Sequence, residues 1–271
     1  MIPDIQLSDG RRIPQVGLGL WKVSEEEFNS SFDAAVATGY RHFDTAQVYG
    51  NEGFLGTAWK RHELQREELF ITTKIRVENI TVGRAKSSLE GSLERLQTEY
   101  VDLLLLHFPV SLMRKKAWKD LEALKAAGKA KSIGVSNYTV KHLEEMKGYA
   151  SEMPVVNQVE LHVFLQQPEL VDYCRQHNIQ LEAYSPLAHA RAGADEPVLQ
   201  EIAQKHGKTF AQIMLRWCVQ SGFVVLPKSV TPSRVKENAE IFNFELDDED
   251  QQQLKGLDRD LRTCWDPTHV P

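Results

Sequence analysis

Leu103-Leu104-Leu105-Leu106 is the stretch that most narrows what this chain can fold into. A run that is apolar at every position has no polar face to offer water, so a strand made from it must be covered on both sides. That is the condition of a parallel sheet sheathed in helices, and the rest of the chain repeats it. Runs rich in apolar and β-branched residues fall at Val16–Leu20, Arg41–Asp44, Leu69–Lys74, Val101–His107, Ser132–Ser136, Val155–Val159, Gln180–Tyr184 and Phe223–Pro227, eight in all. Helical patterns lie between them with their own punctuation. Ser24 followed by Glu27 is a capping box, Phe28, Phe32, Ala35 and Val36 share one face, and Gly39 is the stop. Pro168 has the place of a first-turn proline, Thr209 opens a stripe of Ile213, Leu215 and Trp217, and Thr231-Pro232 opens a further helix. Ahead of all this, Ile5–Ile13 reads as a hairpin turning at Asp9-Gly10.

Eight strands alternating with helices predict a (β/α)8 TIM barrel, with the N-terminal hairpin closing its bottom. An open, doubly wound sheet is the alternative that strand count leaves standing. The 271 residues suit a single barrel domain spanning 1–271, since no linker, low-complexity tract or charge block divides them. Leu187–Pro197, rich in Ala and Gly, is expected to be a long irregular loop and a mobile flap.

A formal charge of -6 argues against non-specific binding to nucleic acid or membrane, both of which need a basic face. Cys174, Cys218 and Cys264 are an odd, scattered set, with neither a disulfide framework nor a metal-ligand spacing. Met1-Ile2-Pro3-Asp4 brings no basic region and no long apolar run, so no secretory leader is expected; the expected address is the cytoplasm, and the expected state a monomer.

A barrel carries its chemistry where strands end and loops begin. The second barrel strand ends at Asp44 with Tyr49 on the loop beyond, the third at Lys74, the fourth at His107. Each residue has an ordinary structural use: a helix cap, a packed ring, a solvated amine. Four such groups at the ends of adjacent strands form a coherent proton donor instead. A phenol titrates near pH 10, and an ammonium about 4 Å away favours the phenolate by up to ~4 kcal/mol at an effective dielectric of 20. Lys74 is therefore expected to bring Tyr49 close to working pH, with Asp44 orienting the lysine and His107 donating to a carbonyl oxygen. The set suits protonation of an alkoxide forming from an aldehyde or ketone. It lacks a hydride.

The other half of the barrel offers a place for one. Ser136 and Asn137 end the fifth strand and Gln158 lies in the sixth; such side chains can satisfy both sides of a carboxamide. Tyr184 ends the seventh strand and offers a ring for stacking. Lys228, Ser229 and Arg234, beside the helix that starts at Pro232, make a phosphate site despite the acidic whole. Gly17-Leu18-Gly19 has Lys22 where the dinucleotide fingerprint needs its third glycine, so it reads as a close approach of backbone at the barrel mouth.

With these residues in view, the chain resembles the aldo-keto reductase superfamily. The stretches that carry the likeness are Gly17–Trp21, Gly39–Ala46, Tyr49–Glu52, Ile71–Lys74, Asp102–His107 with Pro109, Ile133–Asn137, Asn157–His162, Pro227–Val230 and Arg234–Asn238. In detail it is most similar to the prokaryotic-type 2,5-diketogluconate reductase and prostaglandin F synthase branch. The resemblance implies a (β/α)8 barrel that uses NADPH/NADP+ without a Rossmann fold and reduces small aldehydes or ketones. It puts the catalytic tetrad on Asp44, Tyr49, Lys74 and His107, with Tyr49 the acid. Cofactor contacts are implied at Ser136, Asn137, Gln158, Tyr184, Ser185, Leu187, Lys228, Ser229, Val230, Arg234, Glu237 and Asn238. Trp21 and Phe108, together with Tyr49 and His107, would line the substrate pocket. Phe108 stands where many relatives carry Trp, and both the loop after Pro109 and the C-terminal tail are short, so substrate identity transfers least.

Two other functions fit parts of the pattern. A Schiff-base aldolase would use Lys74 as nucleophile, which Asp44 opposes by keeping it charged. A non-catalytic NADPH-binding regulatory subunit, like the potassium-channel β subunits that resemble this family, would need a docking surface that the sequence does not display.

Overall fold

The computed structural model describes residues 2–111, 113–189 and 191–271. Its strands, in chain order, are β1 (Asp4–Gln6), β2 (Arg12–Pro14), β3 (Gly17–Gly19), β4 (His42–Asp44), β5 (Phe70–Ile75), β6 (Val101–Leu106), β7 (Ala130–Ser136), β8 (Val156–Glu160), β9 (Gln180–Tyr184) and β10 (Val224–Leu226). β1 and β2 pair antiparallel, the expected hairpin. The other eight form one sheet in sequence order from β3 to β10, each pairing parallel with the next. A parallel bridge between Val16 and Val225, with Val225 N donating to Gln15 O at 2.9 Å and Gly19 N to Pro227 O at 3.1 Å, joins the last strand to the first. The sheet is a closed barrel, not an open one.

Strand alternation sorts the side chains into an outer and an inner set. Leu104 and Leu106 face the helices, within the large cluster that includes Phe28, Phe32, Trp118 and Leu143. Leu103 and Leu105 turn inward and join Phe70, Val156 and Val224 with Leu7 and Ile13 of the hairpin. The hairpin thus plugs the N-terminal end of the barrel with an apolar layer. Above it the same inward positions carry polar residues: His42 and Asp44 on β4, Thr72 and Lys74 on β5, Gln158 on β8, Glu182 on β9, all buried.

The helix signals hold in place. Ser24 and Glu27 form the capping box of helix Glu25–Thr38, and Gly39 closes it in the left-handed region at φ 94°. Thr209 and Gln212 form another at the start of Phe210–Gln220, and Pro168 and Pro232 open their helices. The Leu187–Pro197 segment is less irregular than the composition suggests. It holds a helical turn at Arg191–Ala194, and Ala188 just before that turn is buried; Ala190 lies outside the described residues, as does Leu112 in the loop after Pro109.

The two glycines of Gly17-Leu18-Gly19 serve barrel closure. A Cβ on Gly17 would meet His42 Nδ1 at 2.7 Å and Leu226 Cδ2 at 2.8 Å, and one on Gly19 would meet Leu226 O at 3.0 Å. Both neighbours of Gly17 are themselves buried. Gly17→Ala is accordingly expected to destabilise the fold by about 1–3 kcal/mol through overpacking, read as a lower urea midpoint at unchanged slope.

Candidate active site

The mouth of the barrel gathers the predicted residues because consecutive parallel strands end at one level. Asp44 closes β4, and the chain beyond it makes a 3-10 turn at Gln47–Tyr49 that returns the Tyr49 side chain over the strand end. Lys74 is the last inward residue of β5, buried with no exposed surface. Its ammonium donates to Asp44 Oδ1 at 2.6 Å, Thr45 O at 3.1 Å and Tyr49 OH at 3.3 Å, which uses all of its donors. His107 follows β6 and is buried, its ring centroid 5.8 Å from that of Tyr49.

Burial works against a charge on Lys74, but Asp44 and then Tyr49 outweigh it, and the lysine pKa is raised. A lysine held charged in this way is no Schiff-base nucleophile. The expectation for Tyr49 needs correcting. Burial raises its pKa, and Lys74, although it pulls the other way, does not overcome it; Asp44 adds to the rise. The expectation took the cation's attraction alone and left out the desolvation of the phenolate. Part of Tyr49 stays open to the mouth, which softens that penalty without reversing it. His107 is driven down to about 3, by burial first and by Lys74 second, so its imidazole is neutral and can donate without carrying charge.

A cavity of about 750 Å³ opens over these groups. It is lined by Trp21, Asp44, Tyr49 and His107 on one side and by Ser136, Asn137, Gln158 and Tyr184 on the other, with Ser185, Leu187 and Lys228 at its edge. The polar wall is braced internally. Ser136 Oγ donates to Gln158 O at 2.9 Å, Asn137 Nδ2 donates to His107 O at 3.1 Å and Ser136 Oγ at 3.0 Å, and Tyr184 OH donates to Asn137 Oδ1 at 2.7 Å. Asn137 and Ser185 both take the left-handed region, at φ 64° and 47°, where the chain leaves β7 and β9.

Other predicted residues stand further out. Ser229 is buried, and its hydroxyl is engaged in a turn with Thr231, accepting from Thr231 N at 3.2 Å. Lys228 and Arg234 are exposed near the start of helix Pro232–Ala239, Val230 and Glu237 are half-buried there, and Asn238 is buried. Phe108 does not line the cavity. It stands behind Trp265, with ring centroids 6.3 Å apart.

Trp265 itself is what the sequence reading passed over. Thr263, Cys264 and Trp265 of the tail lie across the mouth, with Trp265 6.3 Å from Trp21 and 6.0 Å from His107 between ring centroids. Buried Glu160, at the end of β8, holds the tail there. It accepts from Thr263 N at 2.7 Å, Thr263 Oγ1 at 2.5 Å and Cys264 N at 3.1 Å. Burial opposes charge on Glu160, yet the bonds from His162 and Thr263 hold its carboxyl below the usual range. A tryptophan near the end of the chain was the signal available; the anchor, far away in sequence, was not.

The pattern of the aldo/keto reductase family matches residues 15–259. The chain belongs to the aldo/keto reductase family. This aldo/keto reductase, an oxidoreductase, is 45% identical over 267 residues to the glyoxal reductase of Bacillus subtilis (strain 168), covering 98% of this chain and 96% of that one. It is 44% identical over 266 residues to the methylglyoxal reductase DkgA of Escherichia coli O157:H7, covering 97% and 96%. Among solved structures it is similar to an aldo/keto reductase from Brucella melitensis, with a TM-score of 0.91, 40% identity and 95% and 98% of the two chains covered. It is also similar to the aldo-keto reductase AKR2E5 solved in complex with NADPH, with a TM-score of 0.92, 34% identity and 98% and 90% covered.

The depressed His107 pKa has a consequence for stability. A histidine that is neutral in the fold and titrates near 6.5 when unfolded contributes stability above pH 6.5 and loses it as pH falls toward 3. Urea unfolding at pH 7 and pH 5 is expected to show the wild type losing about 2 kcal/mol more than His107→Asn over that interval.

Proposed function

We propose that this reductase converts small aldehydes and ketones, 2-oxoaldehydes among them, to alcohols with NADPH, and that Tyr49 is the general acid. The observation that carries the reading is the Tyr49–Lys74–Asp44 chain of contacts, 3.3 and 2.6 Å long, beside a neutral His107 at the floor of one cavity. The names of the glyoxal and methylglyoxal reductases support the substrate class, and the NADPH complex of a similar structure supports the cofactor.

The residues present fit a reduced nicotinamide dinucleotide. Gln158 spends its amide hydrogens within the protein and leaves its carbonyl oxygen without a partner among the described residues on the cavity wall, an acceptor suited to a carboxamide. Ser136, Asn137 and Tyr184 stand beside it, Ser185 and Leu187 continue the wall, and exposed Lys228 and Arg234 supply cations for a phosphate. When bound, the dinucleotide supplies the hydride. The chain's own residues do the rest. His107 Nε2–H or Nδ1–H holds the carbonyl oxygen by a hydrogen bond that brings no net charge. Tyr49 keeps its proton until negative charge builds on that oxygen, then donates it. The Lys74 ammonium receives the resulting phenolate as a partner, and Asp44 keeps the ammonium aimed. Trp21 and Trp265 cover the site from water.

Two substitutions test this. Tyr49→Phe is expected to cut turnover of methylglyoxal by about 10²–10⁴-fold while NADPH affinity stays near wild type, measured by absorbance of NADPH and by fluorescence titration. Turnover within a few-fold of wild type would remove Tyr49 from the mechanism. Arg234→Ala is expected to weaken NADPH by roughly tenfold or more and NADH little, since only NADPH carries the 2′-phosphate for a charge-assisted contact. Equal losses for the two nucleotides would show that Arg234 does not read the phosphate.

A further inference from the structure

Below the Lys74–Asp44 pair, the barrel interior holds a second carboxyl group that the chemistry above does not use. Glu182, on β9, has no exposed surface. Its Oε2 accepts from Gln158 Nε2 at 2.6 Å, and the same nitrogen donates to Asp44 Oδ2 at 2.9 Å. One amide nitrogen is therefore held between two carboxyl groups from different strands, and both of its hydrogens are directed. Turning the amide over would set its carbonyl oxygen against Asp44, whose other oxygen is paired with Lys74, so that orientation is disfavoured.

The other oxygen of Glu182 explains its charge state. Among the described residues Oε1 has no hydrogen-bond partner, and it faces His42 Nε2 at 3.5 Å. His42 is buried and approaches Thr72 Oγ1 at 3.2 Å through Nε2 and Pro14 O at 3.4 Å through Nδ1. Burial drives His42 down to about 3, so it is a neutral ring able to accept at Nε2. Burial, followed by the charge of Asp44, pushes Glu182 well above the carboxylate range. The nearby cation, Lys74, already spends its donors on Asp44, Thr45 and Tyr49.

We infer that Glu182 is a positioning residue of the reductase: as a neutral acid it fixes the Gln158 amide so that its NH₂ braces Asp44 and its carbonyl oxygen is presented to the nicotinamide carboxamide. This rests on the cofactor reading above. Glu182 touches neither substrate nor cofactor and works through Gln158. Its own proton lies on Oε1, toward His42, which leaves Oε2 as the acceptor. The interior then carries one compensated ion pair and no surplus negative charge beneath the acid. Without an acceptor at position 182, one N–H of Gln158 is left to turn toward the cavity, where it opposes the donor N–H of the carboxamide.

The experiment compares Glu182→Gln with Glu182→Met, each alone and combined with Gln158→Leu, reading NADP⁺ affinity by fluorescence and kcat and KM for methylglyoxal. A glutamine at position 182 reproduces the neutral acid, with its carbonyl to Gln158 and its NH₂ to His42, so Glu182→Gln is expected to stay within about threefold of wild type. Methionine keeps the length and removes the acceptor, so Glu182→Met is expected to weaken NADP⁺ on the order of tenfold, with the carbonyl KM little changed. Adding Glu182→Met to Gln158→Leu should cost almost nothing further. Wild-type NADP⁺ affinity in folded Glu182→Met, equal damage in Glu182→Gln and Glu182→Met, or full additivity with Gln158→Leu would each overturn the inference. Glu182→Ala takes the place of the methionine variant if that one does not fold. Loss of NADP⁺ binding by Gln158→Leu separates the two readings: if that variant binds normally, the cofactor assignment fails at Gln158 itself, whatever Glu182 does.

Discussion

A lysine ammonium inside a closed barrel is the constraint on which the mouth of this protein depends. Bringing two opposite charges out of water costs several kcal/mol for each ion, and only close geometry with every remaining donor and acceptor satisfied offsets it. Lys74 and Asp44 meet that condition. The ammonium has three acceptors, and the second oxygen of Asp44 has Gln158. Because no member of the set has slack, the phenol, the amide and the ion pair hold one another in register, and the cation's field adds to burial in keeping the His107 ring neutral.

The same burial gives Tyr49 its character. Its proton is more tightly held than that of a phenol in water, because a phenolate there would be poorly hydrated. A donor of this kind does not leak its proton to solvent at neutral pH. In the proposed role it would release the proton to a stronger base than phenolate, and an alkoxide in formation is such a base. On that proposal Lys74 would act on the product of the transfer more than on the resting acid, which is where stabilisation accelerates a reaction.

Much of this was legible in the sequence because it follows from local rules. Leu103–Leu106 demanded a strand covered on both faces, Ser24 with Glu27 and Gly39 marked one helix at both ends, and the ends of β4, β5 and β6 placed Asp44, Lys74 and His107 together once a barrel was assumed. What stayed hidden depends on separations that no local pattern encodes. Trp265 reaches the cavity only because Glu160, 104 residues before Cys264, captures the tail backbone. The part of Glu182 lay in a strand that read simply as buried, since a carboxyl group among Leu181 and Ala183 carries no sign of what stands across the barrel. The rise in the Tyr49 pKa was missed for the same reason, since burial belongs to the assembled fold.

The hairpin seal has a consequence for how protons are counted. Leu7 and Ile13 close the lower end of the barrel over Phe70, Leu103, Leu105 and Val224, so the polar interior is a vessel that opens at the mouth. His42, Glu182 and Lys74 lie above that layer, and all three are buried. On the proposed chemistry, a ligand seated at the mouth separates these groups from bulk water for the duration of the encounter. In the proposed role of Tyr49, a proton it gives away is replaced when the mouth reopens, which ties the reset of the acid to departure of whatever sits above it.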